Sequence, residues 1–312
     1  MNILRHTHTI RATGGKGDPN THATCLTPFI GRSCYYIIAQ SLTELGSFAK
    51  QSSIKSTGYS SPDWDFKLGL EKAIDYCFTG DTSAVAESDA LLARMEEHIQ
   101  MPSTRAHWES AVAGAFPDIP AFLSGQPLNM RMRTKVQTES APIAIMVDLG
   151  ISGGISAQQV RNRGIAILAL TRALAAHRPV ELWALDFGAA DEGGSSFGRS
   201  SKSNAVCVAA KIETSPLDLA AASYALTHPA FVRQVLFGLE THYHDFVGGW
   251  PFSLGRALTR MEMEMLLRPV FTHVQETLAL PGLHLADQSM NDPEGWLRKQ
   301  LAEHDPLVLD QA

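Results

Sequence analysis

Residues 141–187 constrain the fold more than any other part of the chain. "APIAIMVDLG" has the length and unbroken apolarity of a buried strand, and "VELWALDFG" reads as a second. Between them, from about residue 156 to 176, runs a stretch with helical spacing. Strand, helix and strand at this separation form a parallel crossover unit, which the handedness rule makes right-handed. Ser156, with Gln159 three residues later, supplies the S-x-x-Q capping box that starts the helix, and Gly153 and Gly154 give the connecting turn its backbone freedom. "AVCVAAKIE" reads as a third strand. The expected fold class is therefore α/β, helix-rich, with a small and partly parallel central sheet.

Around this unit the apolar spacing predicts further helices. One begins at Tyr35 and continues through Ile38, Leu42, Leu45 and Phe48. Another carries Phe66, Leu70, Ile74 and Phe78 on one stripe and stops at Gly80, and a third ends before Pro102. Residues 114–140 hold Pro117, Pro120, Gly125 and Pro127, so no helix is expected before the basic, strand-like "NMRMRTK". The last third returns to helix in "LDLAAASYAL", "AFVRQVLFGLE" and "RALTRMEMEMLLRPVF". The domain reading is a flexible basic arm over 1–28, a single α/β domain over 29–300 and an acidic, apolar tail over 301–312.

A chain of 312 residues with 45% hydrophobic and 19% charged residues can bury a core without disulfides or a structural metal. Cys25, Cys34, Cys77 and Cys207 are far apart, which suits reduced thiols in a cytoplasm. No apolar run is long enough to span a membrane, and no secretory leader is read at the start. The net charge of -6 conceals a gradient. Residues 1–60 carry Arg5, Arg11, Lys16, Arg32, Lys50 and Lys55 against Asp18 and Glu44, whereas residues 281–312 carry six acids against two cations.

The basic groups are the candidate nucleic-acid contacts. Arg131, Arg133 and Lys135 alternate along an extended strand and so share one face, with no acid between them in sequence. Arg161 and Arg163 occupy the first turns of the central helix, the end where the dipole disfavours cations. Arg199 and Lys202 lie in a Gly/Ser-rich loop, and Arg32 stands beside Tyr35 and Tyr36, rings on which exposed bases could stack. No nucleotide-binding glycine motif or nucleophile elbow is present, and no cofactor is expected.

Two metal readings stay open beside this. Asp148, Gly150 and Ser152 approximate the D-x-S-x-S loop with which von Willebrand A-like adhesion domains hold magnesium, one hydroxyl short, with Asp186 as a further ligand; that reading makes the chain a protein-binding adaptor. His242, His244 and Asp245 could instead serve a metal enzyme.

Three blocks, "WDFKLGLEKAIDYCFTG", "FPDIPAFLSGQPLNMRMR" and "IMVDLGISGGISAQQVRNRGIAILALTRALAAHRPVELWALDF", together resemble an uncharacterised domain met chiefly in bacteriophage proteins, over roughly residues 55–190. In size and chemistry the chain is similar to a single-stranded-DNA-binding cofactor of RNA polymerase in N-four-related podoviruses. The resemblance implies a non-enzymatic protein of the host cytoplasm that binds single-stranded DNA without reading sequence, through a fold that is not the five-stranded OB barrel. Its further partners would be the phage RNA polymerase, whose middle-gene transcription it promotes, and, for cooperative binding, other copies of itself.

Overall fold

A computed structural model of the chain describes residues 3–7, 33–56, 66–95, 105–114, 116–136, 142–151, 154–176, 178–191, 203–242, 251–255, 257–267, 271–273, 276–285 and 287–304. The fold is mixed α/β. Its strands are β1 (Ile3–Thr7), β2 (Ser33–Ala39), β3 (Arg105–Ala111), β4 (Phe116–Pro117), β5 (Met130–Val136), β6 (Ile143–Asp148), β7 (Val180–Asp191), β8 (Ser203–Ile212), β9 (Pro251–Ser253) and β10 (Glu276–Leu280). Its helices are α1 (Leu42–Gln51), α2 (Leu70–Thr79), α3 (Val85–Met95), α4 (Ile119–Leu123), α5 (Ala157–Ala175), α6 (Leu219–Thr227), α7 (Phe237–His242, entered through a π-helical turn Phe231–Leu236), α8 (Arg260–Leu267), α9 (Gln288–Asn291) and α10 (Pro293–His304).

Seven strands form the main sheet in the order β1-β2-β8-β7-β6-β10, with β9 beside β7. β6 pairs in parallel with both β7 and β10, and β2 with β8, while β7–β8, β1–β2 and β7–β9 are antiparallel. All six residues of β6 are buried, as a parallel strand covered on both faces requires. Ile143, Ile145 and Val147 face a large core shared with the buried sides of α1, α2, α3, α5, α6 and α10. Ala144 and Met146 face a smaller core with Trp183, Leu185 and Phe187 of β7 and with Leu258, Met263, Leu266 and Phe271. The molecule is thus three-layered, and one face of the sheet carries most of the helices. Among the described residues the sheet does not close on itself. No described helix is long and apolar enough to cross a membrane.

The strand–helix–strand unit stands where its pattern places it. α5 begins at the Ser156–Gln159 capping box, in which the serine hydroxyl accepts from the Gln159 amide and the glutamine side chain accepts from that of Ser156. Other elements depart from expectation. The stretch from Tyr35 to Phe48 is strand β2 followed by α1, because Ser41 caps a helix that starts only at Leu42 and Tyr36–Ile37 alternate across the sheet. Ile3–Thr7, within the arm expected to be flexible, is a strand paired with β2. A short helix, α4, does form in the proline-rich passage: Asp118 caps it, and Pro120 lies in the first turn, where its missing N–H is harmless. α2 buries Ala73, Ile74 and Cys77, leaving Phe66 and Phe78 about two-fifths exposed, at 43% and 41%. Residues 301–304, expected to start the tail, complete α10, and Leu301 is buried.

Candidate functional site

β3, β4 and β5 form a separate three-stranded antiparallel sheet in the order β3-β5-β4, which holds the strongest of the basic motifs. Its register sets Trp108 opposite Arg133, Ala106 opposite Lys135, and both Ser110 and Phe116 opposite Arg131. Directly paired residues of an antiparallel ladder share a face. One face therefore collects the register positions of Arg131, Arg133 and Lys135 together with Trp108 and Phe116. The sheet depends on Gly114, between β3 and β4, where a Cβ would lie 2.3 Å from the Arg131 carbonyl oxygen.

The expectation that no acid neutralises this strand is corrected at one position. Asp118 meets the Arg131 guanidinium at 2.9 Å and also accepts from the Ala121 amide, and the Arg131 bond is the chief reason its carboxyl sits below the ordinary range. Arg131 keeps half its side chain in solvent. Apolar groups are concentrated nearby. Of the eleven large apolar side chains exposed among the described residues, seven fall between Val112 and Met132, including Phe122 at 62% and Leu123 at 78%. Phe116, Phe122 and Trp108 were not singled out as candidates, although "FPDIPAFL" just ahead of "NMRMRTK" carries the rings-beside-cations signal.

Elsewhere the structure disperses the candidates. Tyr36 is buried and its hydroxyl donates to the Leu266 carbonyl at 2.6 Å, so its ring is closed to a base. Arg161 bridges to α3, donating to Glu87 at 2.6 Å and to the Ser83 carbonyl at 2.9 Å. Arg163 is buried, donates to the Pro281 carbonyl and faces Asp287 and Asp148; burial pulls its pKa down. These two arginines cross-link the fold and present no cation to a polyanion. Lys50 pairs with Asp75 at 2.8 Å and lies over Phe78, while Lys55 is exposed. Arg5 and Tyr35 are opposite each other in the β1–β2 register. Arg11, Lys16, Arg32, Arg199 and Lys202 lie outside the described residues.

Asp148 ends β6 in full burial. One carboxylate oxygen accepts from the Gly150 amide at 2.8 Å and the other from the Leu258 amide at 2.7 Å. Burial raises its pKa to about 6, against the lowering effect of those amides and of Arg163. A magnesium ion does not fit this arrangement, since both oxygens already have donors and the adjacent charge is a buried guanidinium. The cavity bounded by Asp148, Arg163, His228 and apolar neighbours measures about 20 Å³, enough for one water. Ser152, His244 and Asp245 lie outside the described residues, and His242 is exposed at the end of α7. Among the described residues no group of three His, Cys, Asp or Glu side chains could hold a metal ion.

Comparison with known proteins returns no match among curated proteins and none among solved structures. One family model covers nearly all of the chain, residues 17–305, and the chain accordingly belongs to the family described as a domain of unknown function, DUF7192.

Proposed function

We propose that the chain is a single-stranded nucleic-acid-binding protein, a binding module and not an enzyme, whose contact surface is the small β3-β5-β4 sheet. The observation that carries this reading is the register that brings Trp108 and Phe116 to the same face as Arg131, Arg133 and Lys135. Unpaired bases stack on aromatic rings while cations follow the phosphates, and neither contact reads sequence. The phage resemblance extends the proposal to single-stranded DNA as the ligand, the phage RNA polymerase as a partner and the host cytoplasm as the setting.

Binding of an oligo-dT tests it. Affinity should fall steeply with salt, each phosphate neutralised adding about -0.7 to the log–log slope. Replacing Arg131, Arg133 and Lys135 together by alanine should flatten that slope by about 2. Phe116→Ala should weaken binding by the value of one stacked base, about 1–3 kcal/mol. A triple variant that stays folded and binds as tightly as the wild type removes the proposal.

A second reading, a protein-binding adaptor, rests on the exposed aliphatic groups of the same region: Val112, Ile119, Leu123, Leu128 and Met132. Such a patch is characteristic of protein interfaces, and aliphatic groups offer no stacking face to a base. Ile119→Ser with Leu123→Ser separates the two readings. It should abolish association with a protein partner if the adaptor reading holds, and leave oligo-dT affinity intact if the nucleic-acid reading holds.

A further inference from the structure

Asp186 of β7 and Glu240 of α7 are both fully buried and face one another, and among the described residues no other side chain satisfies their four carboxylate oxygens. The strand accommodates the contact through a glycine. A Cβ at Gly188 would lie 2.6 Å from Glu240 Oε2. Among the described residues the charged groups facing the pair are Asp148 from the end of β6 and Arg233 from the π-helical turn, whose guanidinium lies 5.2 Å from the Phe237 ring centre. β8 presents Val206 beside Gly188, the chain after α1 presents Ile54 to Gly238, and His242 is exposed at the far end of α7.

We propose that Asp186 and Glu240 form a proton-held latch that keeps α7 on the sheet while the pair shares a proton and releases it as pH rises. With a proton between them, one carboxyl donates to the other and the pair satisfies itself. Without it, the two charges have Arg233 as their arginine among the described residues, Arg163 lying against Asp148, an imbalance that outward movement of α7 relieves. The π-helical turn at its root is a natural place for that movement, because its hydrogen-bond pattern is already displaced from the α-helical one.

Hydrogen–deuterium exchange, corrected for the intrinsic effect of pH, reads the latch directly. Between about pH 5 and pH 9, protection of residues 237–242 should fall at least tenfold or so, and by clearly more than that of β6, which follows the global stability. Glu240→Gln, which keeps the shape and removes the charge, should hold α7 protected at the higher pH, and Asp186→Asn provides a second variant should the first fail to fold. Equal protection at both pH values in the wild type overturns the proposal whatever the variants do. So does a loss in β6 that matches the loss in α7, or a folded variant as sensitive as the wild type.

Discussion

Gly164 shows how a single residue fixes the packing of two helices. It lies inside α5, where alanine ordinarily gains about 0.5–1 kcal/mol over glycine. Here a Cβ would stand 2.1 Å from the Leu226 carbonyl oxygen and 2.8 Å from the Thr227 Cα, both backbone atoms of α6. Backbone cannot rotate away as a side-chain tip can, so the overlap outweighs the propensity. Gly164→Ala should destabilise the protein by about 1–3 kcal/mol or more, visible as a lower denaturant midpoint. The neighbouring arginines teach a related lesson. Sequence shows that cations at 161 and 163 oppose the helix dipole, and it cannot show what compensates them, because Glu87 and Asp148 arrive from other elements. The same geometry predicts that neither magnesium nor a chelator moves the thermal midpoint. A magnesium-dependent rise that disappears in Asp148→Ala would contradict the donor arrangement around that carboxylate.

At the scale of the element, α5 was readable because each of its signals is local. The capping box is four residues long, and the apolar run that follows needs no knowledge of its neighbours. Ser156→Ala should lower stability by about 1 kcal/mol, the usual value of a lost N-cap, as measured by chemical denaturation. Strand β2 imitates a helix for the opposite reason. A strand buried on both faces is apolar at every position, so Tyr35, Ile38 and Leu42 imitate helical spacing even though a strand ends between them and only Ser41 marks the change. The basic strand β5 was legible from alternation alone. Its aromatic neighbours were not, because Trp108 and Phe116 reach that face through cross-strand register, which a single strand's sequence does not specify.

For the molecule as a whole, burial of acids at one end of the sheet sets the direction in which stability responds to pH. Asp148 is carried from an ordinary value of 3.8 to about 6 chiefly by burial, and Asp186 and Glu240 are pushed up for the same reason. A carboxyl whose folded pKa lies above its unfolded one holds its proton more tightly in the native state. Stability from that source is complete below about pH 4 and declines as pH rises through the folded value. Opposing it are Asp118 and Asp292, held low by Arg131 and by the Gly295 amide, and Glu181, held low by its bond to Lys211 against a desolvation penalty. Their contribution is present above the unfolded pKa and is lost only as pH falls through the lower folded one. Asp118 and Asp292 are exposed to solvent screening, so the buried group dominates. The thermal midpoint should therefore peak near pH 4–5 and decline towards neutrality, with Asp148 alone accounting for about 3 kcal/mol between 3.8 and about 6. In a chain of this size that is a fall of roughly 5–10 °C by pH 7, which calorimetry in matched ionic strength would resolve. A midpoint that climbs steadily from pH 4 to pH 8 would mean that these acids are not closed off from water as the packing of β6, β7 and α7 requires.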